Sequence, residues 1–312
     1  MAKILVTETV SNVGPDLLKA HGHEVIFANG DTELIKKVLP EVEAVLVRIV
    51  KFPGELLATA PKLKIVSKHG VGFDNIDTGY CKAHGIAVTT TPNANSLSVS
   101  EHAFALMVSL AKNLFPVANT YREQGFAPAT HYTPGVELTG KTLGLIGSGR
   151  IGGTFAGMCS RGFGMKVLAY DPYAKSAPEG ITLVEDMDEV IRQADVLSIH
   201  CALTDETRKM INAEKLSLMK KDAILINCAR GPIIDEPALI EALEQGKIRA
   251  AGLDVTDPEP VSPDSKLFRL PNVIVTPHYA PNTVESLDRV SRIGCENIAA
   301  VLNGAEPVGR IV

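Results

Sequence analysis

Short apolar runs alternate with amphipathic stretches along this chain, and this alternation constrains its fold more than any other feature. Helix-like segments lie between the runs, one opened by Ser11 and one around residues 31–38. Strands separated by helices favour a parallel sheet with both faces covered. We therefore predict a small, doubly wound α/β domain at the start of the chain. Its strands are KILVTE (3–8), HEVIFA (23–28), AVLVR (44–48), KIVS (64–67) and IAVTTT (86–91).

A second series of apolar runs predicts a second sheet of six strands, which is the full count of a dinucleotide-binding domain. Its runs are TLGLIG (142–147), KVLAYD (166–171), VLSIH (196–200), AILINC (223–228), GLDV (252–255) and VIVTP (273–277). Residues 97–122 and 282–303 have helical periodicity, so we expect the chain to return to the first domain near residue 287. The predicted domains are 1–98 with 287–312, and 99–286.

The bulk composition excludes several classes of protein. At 312 residues the chain is long enough for two domains with separate cores. Its formal net charge of -5 and its lack of Lys/Arg runs give no sign of a basic surface that could bind nucleic acid. No apolar run approaches the ~20 residues of a membrane span, and no secretory signal is evident. We expect a cytoplasmic globular protein.

The five cysteines do not form a recognisable framework. An odd number of cysteines without CxxC spacing argues against disulfides and against a zinc site. We therefore expect free thiols and no bound metal. With the net charge given above, we expect the partners to be small molecules or another copy of the chain. The cysteines are Cys81, Cys159, Cys201, Cys228 and Cys295.

A glycine-rich turn follows the first strand of the second series. Gly147, Gly149 and Gly152 fit the pattern GxGxxG between the strand TLGLI and a helix-like segment. The first glycine would permit a tight turn, the second would let the backbone approach a pyrophosphate, and the third would let helix and strand pack closely. We expect the backbone amides near Arg150 and Ile151 to face the phosphates of a dinucleotide.

Asp171 ends the next strand of the same domain. A carboxylate at that place can accept hydrogen bonds from both ribose hydroxyls of the adenosine half. It would also repel a 2'-phosphate, so the sequence favours NAD over NADP, although Lys175 lies close enough to soften the repulsion.

Three chemically distinct side chains follow later strands of the same series. Arg230 comes just after AILINC, Glu259 lies in the turn TDPEP after GLDV, and His278 follows NVIVTP. Ligands of doubly wound sheets bind at the carboxyl ends of strands, where these residues are expected. Arg binds a carboxylate in a planar fork, His transfers a proton near neutral pH, and Glu sets the charge state of His. Together they suit a 2-oxo acid.

Other residues near these strand ends have open interpretations. Asp254, at the end of GLDV, suits either a contact with the nicotinamide carboxamide or stabilisation of its own turn. Cys228 is interpreted as a small buried residue because no His pairs with it in sequence. His102, with other histidines of the chain, is expected to be structural or exposed.

The first domain contains a candidate anion site at residues 68–75, KHGVGFDN. Glycines around Val71 suit a loop whose backbone amides form a concavity for an anion, and an ordinary glycine-rich turn is the alternative. A substrate carboxylate would dock at Val71 and Gly72. Arg48 and Lys68 add positive charge nearby, which indicates a second anionic group on the substrate.

At these residues the chain resembles the NAD-dependent D-2-hydroxyacid dehydrogenase family, and the resemblance spans nearly the whole chain. The motifs that carry it are GVGFDNID (70–77), NSLSVSEH (95–102), GKTLGLIGSGRIGG (140–153), INCARGPIIDEPAL (226–239), AGLDVTDPEP (251–260) and TPHYA (276–280). It implies a Rossmann NAD-binding domain, a smaller flavodoxin-like substrate domain, and a homodimer built on the nucleotide domain.

The resemblance also assigns roles to residues. It implies that Arg230, Glu259 and His278 are catalytic, and that Val71 and Gly72 offer backbone amides to the substrate. The residues that it implies around NAD are Arg150, Ile151, Asp171, Cys201, Cys228, Arg230, Asp254 and His278. Because the sequence ends at Val312, we expect no appended regulatory domain.

The substrate stays open among several 2-oxo acids. Arg48 and Lys68 favour a phosphorylated substrate such as 3-phosphoglycerate, and a hydroxypyruvate or glyoxylate reductase is the alternative. A non-catalytic, NAD-sensing regulatory protein is a rival of a different class, which the filled catalytic positions disfavour. A formate dehydrogenase pairs its catalytic His with Gln, and Glu259 argues against it.

Overall fold

The computed structural model describes residues 1–126 and 128–312. They form two compact units, one of Met1–Asn95 with Pro281–Val312 and the other of Ser96–Ala280. The predicted chain crossings near residues 98 and 287 fall inside two helices, Ser96–Ala111 (α5) and Val284–Leu302 (α11). The division by contacts lies just before each of these helices.

The first unit contains a five-stranded, all-parallel sheet. Its strands are β1 (Lys3–Val6), β2 (Glu24–Phe27), β3 (Ala44–Val47), β4 (Ile65–Lys68) and β5 (Ala87–Thr89). Their order across the sheet is β2-β1-β3-β4-β5, which is the flavodoxin-like order. All five strands are those that the sequence predicts.

Helices cover both faces of this first sheet. α1 (Val13–Ala20) and α11 pack on one face around Leu18 and Ile298. The other face is covered by α2 (Thr32–Val38), α3 (Gly54–Leu57) and α4 (Thr78–Ala83). Because both faces are buried, the central strands are continuous apolar runs.

The second unit contains a seven-stranded, all-parallel sheet of order β12-β11-β10-β9-β6-β7-β8. This is the Rossmann arrangement with one more strand than the predicted six. The additional strand is β8, whose residues Ile-Thr-Leu the sequence analysis missed because the exposed, polar Thr182 interrupts them and leaves no apolar run. The strands are β6 (Thr142–Ile146), β7 (Lys166–Tyr170), β8 (Ile181–Leu183), β9 (Val196–Ile199), β10 (Ile224–Asn227), β11 (Ala250–Leu253) and β12 (Val273–Val275).

Two cores flank the second sheet. One contains apolar residues of α5 and α7 (Arg150–Phe163), such as Met107 and Phe155. The other contains residues of α8 (Met187–Gln193), α9 (Ala213–Leu218) and α10 (Glu236–Glu244). The predicted fold class, two doubly wound parallel sheets, is therefore confirmed.

The helical stretch predicted over 97–122 is two helices, α5 and α6 (Leu114–Gln124). Asn113 separates them in the left-handed conformation, with φ of 51°. Its amide donates to Thr133 O at 2.8 Å and to Pro134 O at 3.3 Å. Pro116 then falls in the first turn of α6, where its missing N–H costs little. Asn113 and Pro116 are the sequence signal for this break.

Among the described residues, no helix is both long and apolar enough to cross a bilayer.

Substitution of Asn113 tests the cause of the helix break. Asn113→Ala removes the side-chain amide and with it the hydrogen bonds to Thr133 and Pro134. It also leaves a residue with a Cβ but no side-chain amide in the left-handed region. We expect a loss of about 1–3 kcal/mol in the free energy of unfolding. Asn113→Gly loses the bonds but relieves the backbone, so its loss should be clearly smaller. Urea denaturation compares the two, and equal losses would show that φ at residue 113 is not the cause.

Candidate active site

The predicted cofactor and catalytic residues of the second unit lie along one edge of its sheet. All seven strands are parallel, so their carboxyl ends meet at the same edge. β6 and β9 are neighbours there although they are separated in sequence, and ligands of such sheets bind at this switch in strand order. Ordered across the sheet from β12 to β7, the strand-end residues are His278, Asp254, Cys228, Cys201, Gly147 and Asp171.

The glycine-rich turn after β6 leads directly into α7, which begins at Arg150. Gly147 has φ of 95°, and a Cβ there would lie 2.9 Å from the backbone of His200 and Cys201. A Cβ at Gly152 would lie 2.4 Å from Gly147 O. Packing within the protein therefore requires both of these glycines.

Gly149 differs from the other two glycines of this turn. A Cβ at Gly149 would have no atom of the described chain within 4 Å. The residue is the N-cap of α7 and has no side chain that could cap the amides of the first turn. A pyrophosphate can approach this exposed helix N-terminus because Gly149 has no side chain in the way. The residues present therefore suit a dinucleotide.

Asp171 follows β7 and is bonded to the glycine-rich turn. Its Oδ2 accepts from Ser148 N at 2.8 Å and from Ser148 Oγ at 3.0 Å, and its Oδ1 accepts from Tyr173 N at 3.1 Å. Partial burial acts to raise the pKa of Asp171, but the hydrogen bonds from Ser148 and Tyr173 outweigh it and lower the pKa. The side chain is therefore a carboxylate at neutral pH, as an acceptor for ribose hydroxyls must be.

The two cysteines at this edge are protonated thiols. Burial raises the pKa of Cys201 to about 11 and the pKa of Cys228 well above its usual value, with Asp254 adding to the second shift. A thiol with such a pKa is a poor nucleophile. Both cysteines can contribute to the shape of a binding site and do not supply covalent chemistry.

Arg230 follows β10 in extended conformation at the start of a 3₁₀ turn, Gly231–Ile233. Its carbonyl oxygen accepts from Asn227 Nδ2 at 2.9 Å, and its Nη1 donates to Ala229 O at 2.7 Å. A Cβ at Gly231 would lie 2.0 Å from Thr256 O, so only glycine allows this backbone to pack against the segment after β11. The loop of Arg230 therefore packs directly on the segment that leads to Glu259.

Glu259 and His278 form an ion pair or hydrogen bond at the same edge. His278 Nδ1 lies 2.6 Å from Glu259 Oε1, and the two side chains are 40% and 41% exposed. Glu259 lies between two cis peptide bonds, Asp257-Pro258 and Glu259-Pro260. His278 itself has φ of 54°, an uncommon conformation for a residue with a Cβ. This exposed pair can exchange a proton with a bound substrate.

Asp254 stabilises the turn that carries His278. It is 1% exposed, and its Oδ1 accepts from Tyr279 N at 2.7 Å while its Oδ2 accepts from Ala280 N at 2.9 Å. Its own carbonyl oxygen accepts from His278 N at 2.8 Å. Of the two interpretations open from the sequence, the stabilisation of the turn is thus directly visible in the contacts.

The candidate anion site of the first unit lies beside a cluster of partly buried polar contacts. Lys68 is buried, and its Nζ donates to Arg48 O and, at 2.7 Å, to Asn75 Oδ1. Asn75 Nδ2 donates to Val50 O at 2.8 Å. Lys68 therefore joins β4 to the loop that follows β3. Next to it, Val71 is exposed and Gly72 is half-buried.

Glu8 also shapes this part of the first unit, although the sequence analysis did not select it. Its carboxylate accepts from Arg48 N at 2.9 Å, from Val50 N at 2.7 Å, and from Ile49 N. These three successive amides form the turn in which Arg48 lies. Glu8 follows β1, and a carboxylate just after a strand is the signal that could have identified it.

Across residues 1–126 and 128–312 we find no group of three or more His, Cys, Asp or Glu side chains that could hold a metal ion.

Residues 104–280 match the sequence profile described as "D-isomer specific 2-hydroxyacid dehydrogenase, NAD binding domain". The D-3-phosphoglycerate dehydrogenase of Methanocaldococcus jannaschii is 42% identical in an alignment of 310 positions that covers 97% of this chain and 58% of that protein. The enzyme of that name from Archaeoglobus fulgidus is 40% identical, again over 97% of this chain and 58% of its own length. The chain thus spans somewhat more than half the length of these curated relatives.

Solved structures are similar over nearly their whole length. A protein of Thermus thermophilus matches with a TM-score of 0.92 and 34% identity over 99% of this chain and 100% of its own. The D-lactate dehydrogenase of Aquifex aeolicus, solved with NAD and lactic acid, matches with a TM-score of 0.85 and 33% identity over 97% of this chain and 96% of its own. This chain belongs to the D-isomer specific 2-hydroxyacid dehydrogenase family, and its second unit contains the family's NAD-binding domain. The resemblance found in the motifs is therefore confirmed.

Two glycine variants separate what a dinucleotide requires from what the protein's own packing requires. Gly149→Ala adds a methyl group that meets no protein atom, so stability should change by less than about 0.5 kcal/mol. The same methyl would obstruct the pyrophosphate at a cost of about 1–3 kcal/mol, roughly a 10- to 100-fold rise in the Kd for NADH. Gly152→Ala should lower the free energy of unfolding as well.

NADH fluorescence titration and urea denaturation of both variants provide the two measurements. Unchanged NADH affinity in Gly149→Ala would place the dinucleotide elsewhere.

Proposed function

We propose that this protein is an NAD-dependent D-2-hydroxyacid dehydrogenase, which transfers a hydride reversibly between NAD(H) and C2 of a small 2-oxo or 2-hydroxy acid. The observation that carries this proposal is the 2.6 Å contact between His278 Nδ1 and Glu259 Oε1. The contact lies at the sheet edge that also carries Arg230 and the glycine-rich turn. An acid-base pair, a cation for a carboxylate and a dinucleotide site are what the reaction needs.

Arg230 and His278 divide the work on the substrate. Arg230 binds the carboxylate and polarises the carbonyl at C2, because a guanidinium pairs with a carboxylate in a planar fork. A dinucleotide bound along the glycine-rich turn would supply the hydride to C2. His278 donates a proton to the oxygen on C2, so the carbonyl becomes a hydroxyl and the charges balance. In the reverse direction His278 accepts the proton from the hydroxyl group.

Glu259 determines which nitrogen of His278 reacts. Its carboxylate occupies Nδ1, so Nε2 is the ring nitrogen left to exchange a proton with the substrate.

We propose NAD as the cofactor, held by the backbone at Gly147, Gly149 and Gly152 and by the first turn of α7 at Arg150 and Ile151. The proposed further contacts are Asp171, Cys201, Cys228 and Asp254. The match of residues 104–280 to an NAD-binding domain and the anionic Asp171 support this cofactor.

For the substrates we propose a phosphorylated 2-hydroxy acid, 3-phosphoglycerate, and the corresponding 2-oxo acid, 3-phosphohydroxypyruvate. The names of the curated relatives at 42% and 40% identity support it. Arg48 provides the cation that a second anionic group requires, and Val71 with Gly72 would provide backbone amides. Lys68 contributes by holding the loop that carries Arg48, through hydrogen bonds from its Nζ.

A hydroxypyruvate or glyoxylate reductase is the second candidate. A glyoxylate/hydroxypyruvate reductase of Sinorhizobium meliloti is 28% identical with a TM-score of 0.88, and it covers 100% of this chain. That enzyme is described as NADPH-dependent, whereas Asp171 favours NAD in this chain. A non-catalytic NAD sensor is disfavoured because Arg230, Glu259 and His278 are all present.

A panel of 2-oxo acids with an Arg48 variant identifies the substrate class. The wild type should oxidise NADH with the highest kcat/KM when 3-phosphohydroxypyruvate is the substrate. Arg48→Gln removes one charged contact and should raise the KM for that substrate roughly 10- to 100-fold, since a charged hydrogen bond contributes about 1.5–3 kcal/mol. The KM for glyoxylate, which has no second anionic group, should change little.

Arg48→Lys is the matched control, because it keeps the positive charge. Equal effects of Arg48→Gln on both substrates would reject the phosphorylated substrate and favour a reductase of small 2-oxo acids. No NADH oxidation with any acid, despite NADH binding, would favour the sensor.

We also propose that the protein is a homodimer associated through its second unit. α6 has no buried residue, and Leu114, Phe115, Tyr121 and Phe126 are 55%, 50%, 56% and 83% exposed. Several large exposed apolar residues within one short stretch of the chain are typical of an interaction surface. We further propose a cytoplasmic location, which the five free cysteines support because reduced thiols persist there.

Light scattering after size-exclusion chromatography tests the dimer. The full chain should elute at twice the mass of 33.3 kDa, and Phe115→Glu should shift it toward the monomer. Ile49→Lys, an exposed apolar position of the first unit, is the control that should leave the mass unchanged. A monomeric wild type would contradict the proposal.

A further inference from the structure

Two polar side chains of α5 contact the turn that carries His278. Ser98 Oγ donates to Ala280 O at 2.6 Å, and His102 Nε2 lies 3.0 Å from Thr276 Oγ1. Ser98 and His102 are four residues apart, so they project from the same face of the helix. The two residues therefore bind both ends of the turn Thr276–Ala280.

The direction of each hydrogen bond follows from the number of protons. Thr276 Oγ1 lies 2.5 Å from Asp254 Oδ1, and a carboxylate only accepts hydrogen bonds. The single hydroxyl proton of Thr276 therefore goes to Asp254. The hydroxyl oxygen can then only accept from His102, whose Nε2 must carry a hydrogen.

The charge of His102 agrees with that direction. Burial lowers the pKa of His102 and outweighs the opposing influence of Asp254, whose carboxylate raises it. His102 is therefore neutral near pH 7, with its proton on Nε2. A second contact of the same nitrogen, 3.4 Å from Asp254 Oδ1, gives that hydrogen another acceptor.

The chain of hydrogen bonds continues from Asp254 to both residues that follow His278. Asp254 accepts from Tyr279 N and Ala280 N, at 2.7 and 2.9 Å. The ring of His278 is substantially exposed, so these polar contacts, more than burial of the ring, determine where it lies. Loss of a donor to a buried carboxylate is costly, and the turn would have to shift to compensate.

We propose that His102, together with Ser98, is a positioning residue for His278. His102 donates from Nε2 to Thr276, Thr276 donates to Asp254, and Asp254 holds the backbone on the far side of His278. Ser98 holds the end of the same turn at Ala280. The proposal rests on the proposed role of His278 as the proton donor, since positioning matters only for a residue that reacts.

Three substitutions of His102 test the proposal. The amide nitrogen of glutamine lies near the place of Nε2, whereas that of asparagine lies near Nδ1 and cannot reach Thr276. His102→Gln should therefore retain kcat within a few-fold. His102→Asn and His102→Leu should lower kcat roughly 10- to 100-fold, because a displacement of about 1 Å at a reacting group has an effect of that size.

The Kd for NADH and the KM should change little in all three variants, which separates lost positioning from lost binding. His84→Leu, at an exposed histidine of the first unit, is the control and should leave kcat unchanged. Full activity of His102→Leu, or equal losses in the Gln and Asn variants, would overturn the proposal.

A double-mutant cycle tests whether His102 acts through Thr276. Thr276→Val removes the hydroxyl at nearly constant shape, and Thr276→Ser retains it. Thr276→Val should lower kcat as His102→Leu does, Thr276→Ser should not, and the double variant should be no slower than either single variant. Additive losses would show that the two residues act independently and would overturn the route through Thr276.

A measurement without turnover separates this proposal from the proposed function. The ring resonances of His278 in an NMR spectrum of the full chain should shift in His102→Leu and return toward wild type in His102→Gln. This result is expected whether or not the substrate has been identified. Unchanged His278 resonances in His102→Leu would overturn the positioning role, whereas a wild type inactive on every 2-oxo acid would overturn the proposed function.

Discussion

The burial of the Asp254 carboxylate is the constraint on which the site most depends. A carboxylate removed from water is stable only when hydrogen-bond donors replace the water, and here the donors are Thr276, Tyr279 and Ala280. The chain must therefore fold back over Asp254 immediately after β12. That turn places His278 in a left-handed conformation and brings its Nδ1 to Glu259. One buried charge thus leads to the exposed contact between His278 and Glu259.

Close backbone packing supports the rest of the same edge. Gly231 allows the loop of Arg230 to lie against Thr256, in the segment that precedes Glu259. Gly152 allows α7 to approach the turn at Gly147 in the same way. Of the three glycines in that turn, Gly149 alone would meet no described atom of the chain, which is what a residue reserved for a ligand should show. Precise loops on a rigid parallel sheet are the usual means of holding a reactive geometry.

Much of this arrangement was predictable because its signals are local. Continuous apolar runs identified eleven of the strands that the structure contains, and GxGxxG after a strand identified the turn at Gly147. β8 was missed because its exposed Thr182 interrupts the apolar run, and the break at Asn113 was missed because helical periodicity continues across it. Arg230, Glu259 and His278 were selected by their positions after strands.

The contacts that hold these residues in place were not predictable. Asp254 meets Ala280, and Ser98 meets the same residue, across long separations in sequence. Such pairings depend on the tertiary fold and leave no pattern in a single sequence. The same is true of Glu8, whose carboxylate closes the loop of Arg48.

The central claim is that His278 is the proton donor in the reduction of a 2-oxo acid. Chiral chromatography of the product formed from NADH and a 2-oxo acid tests it, with His278→Gln beside the wild type. We expect the wild type to form the D-2-hydroxy acid, one for each NADH consumed, and His278→Gln to bind NADH but react ~10²- to 10⁴-fold more slowly. Formation of the L isomer, or a wild-type rate in His278→Gln, would contradict the account.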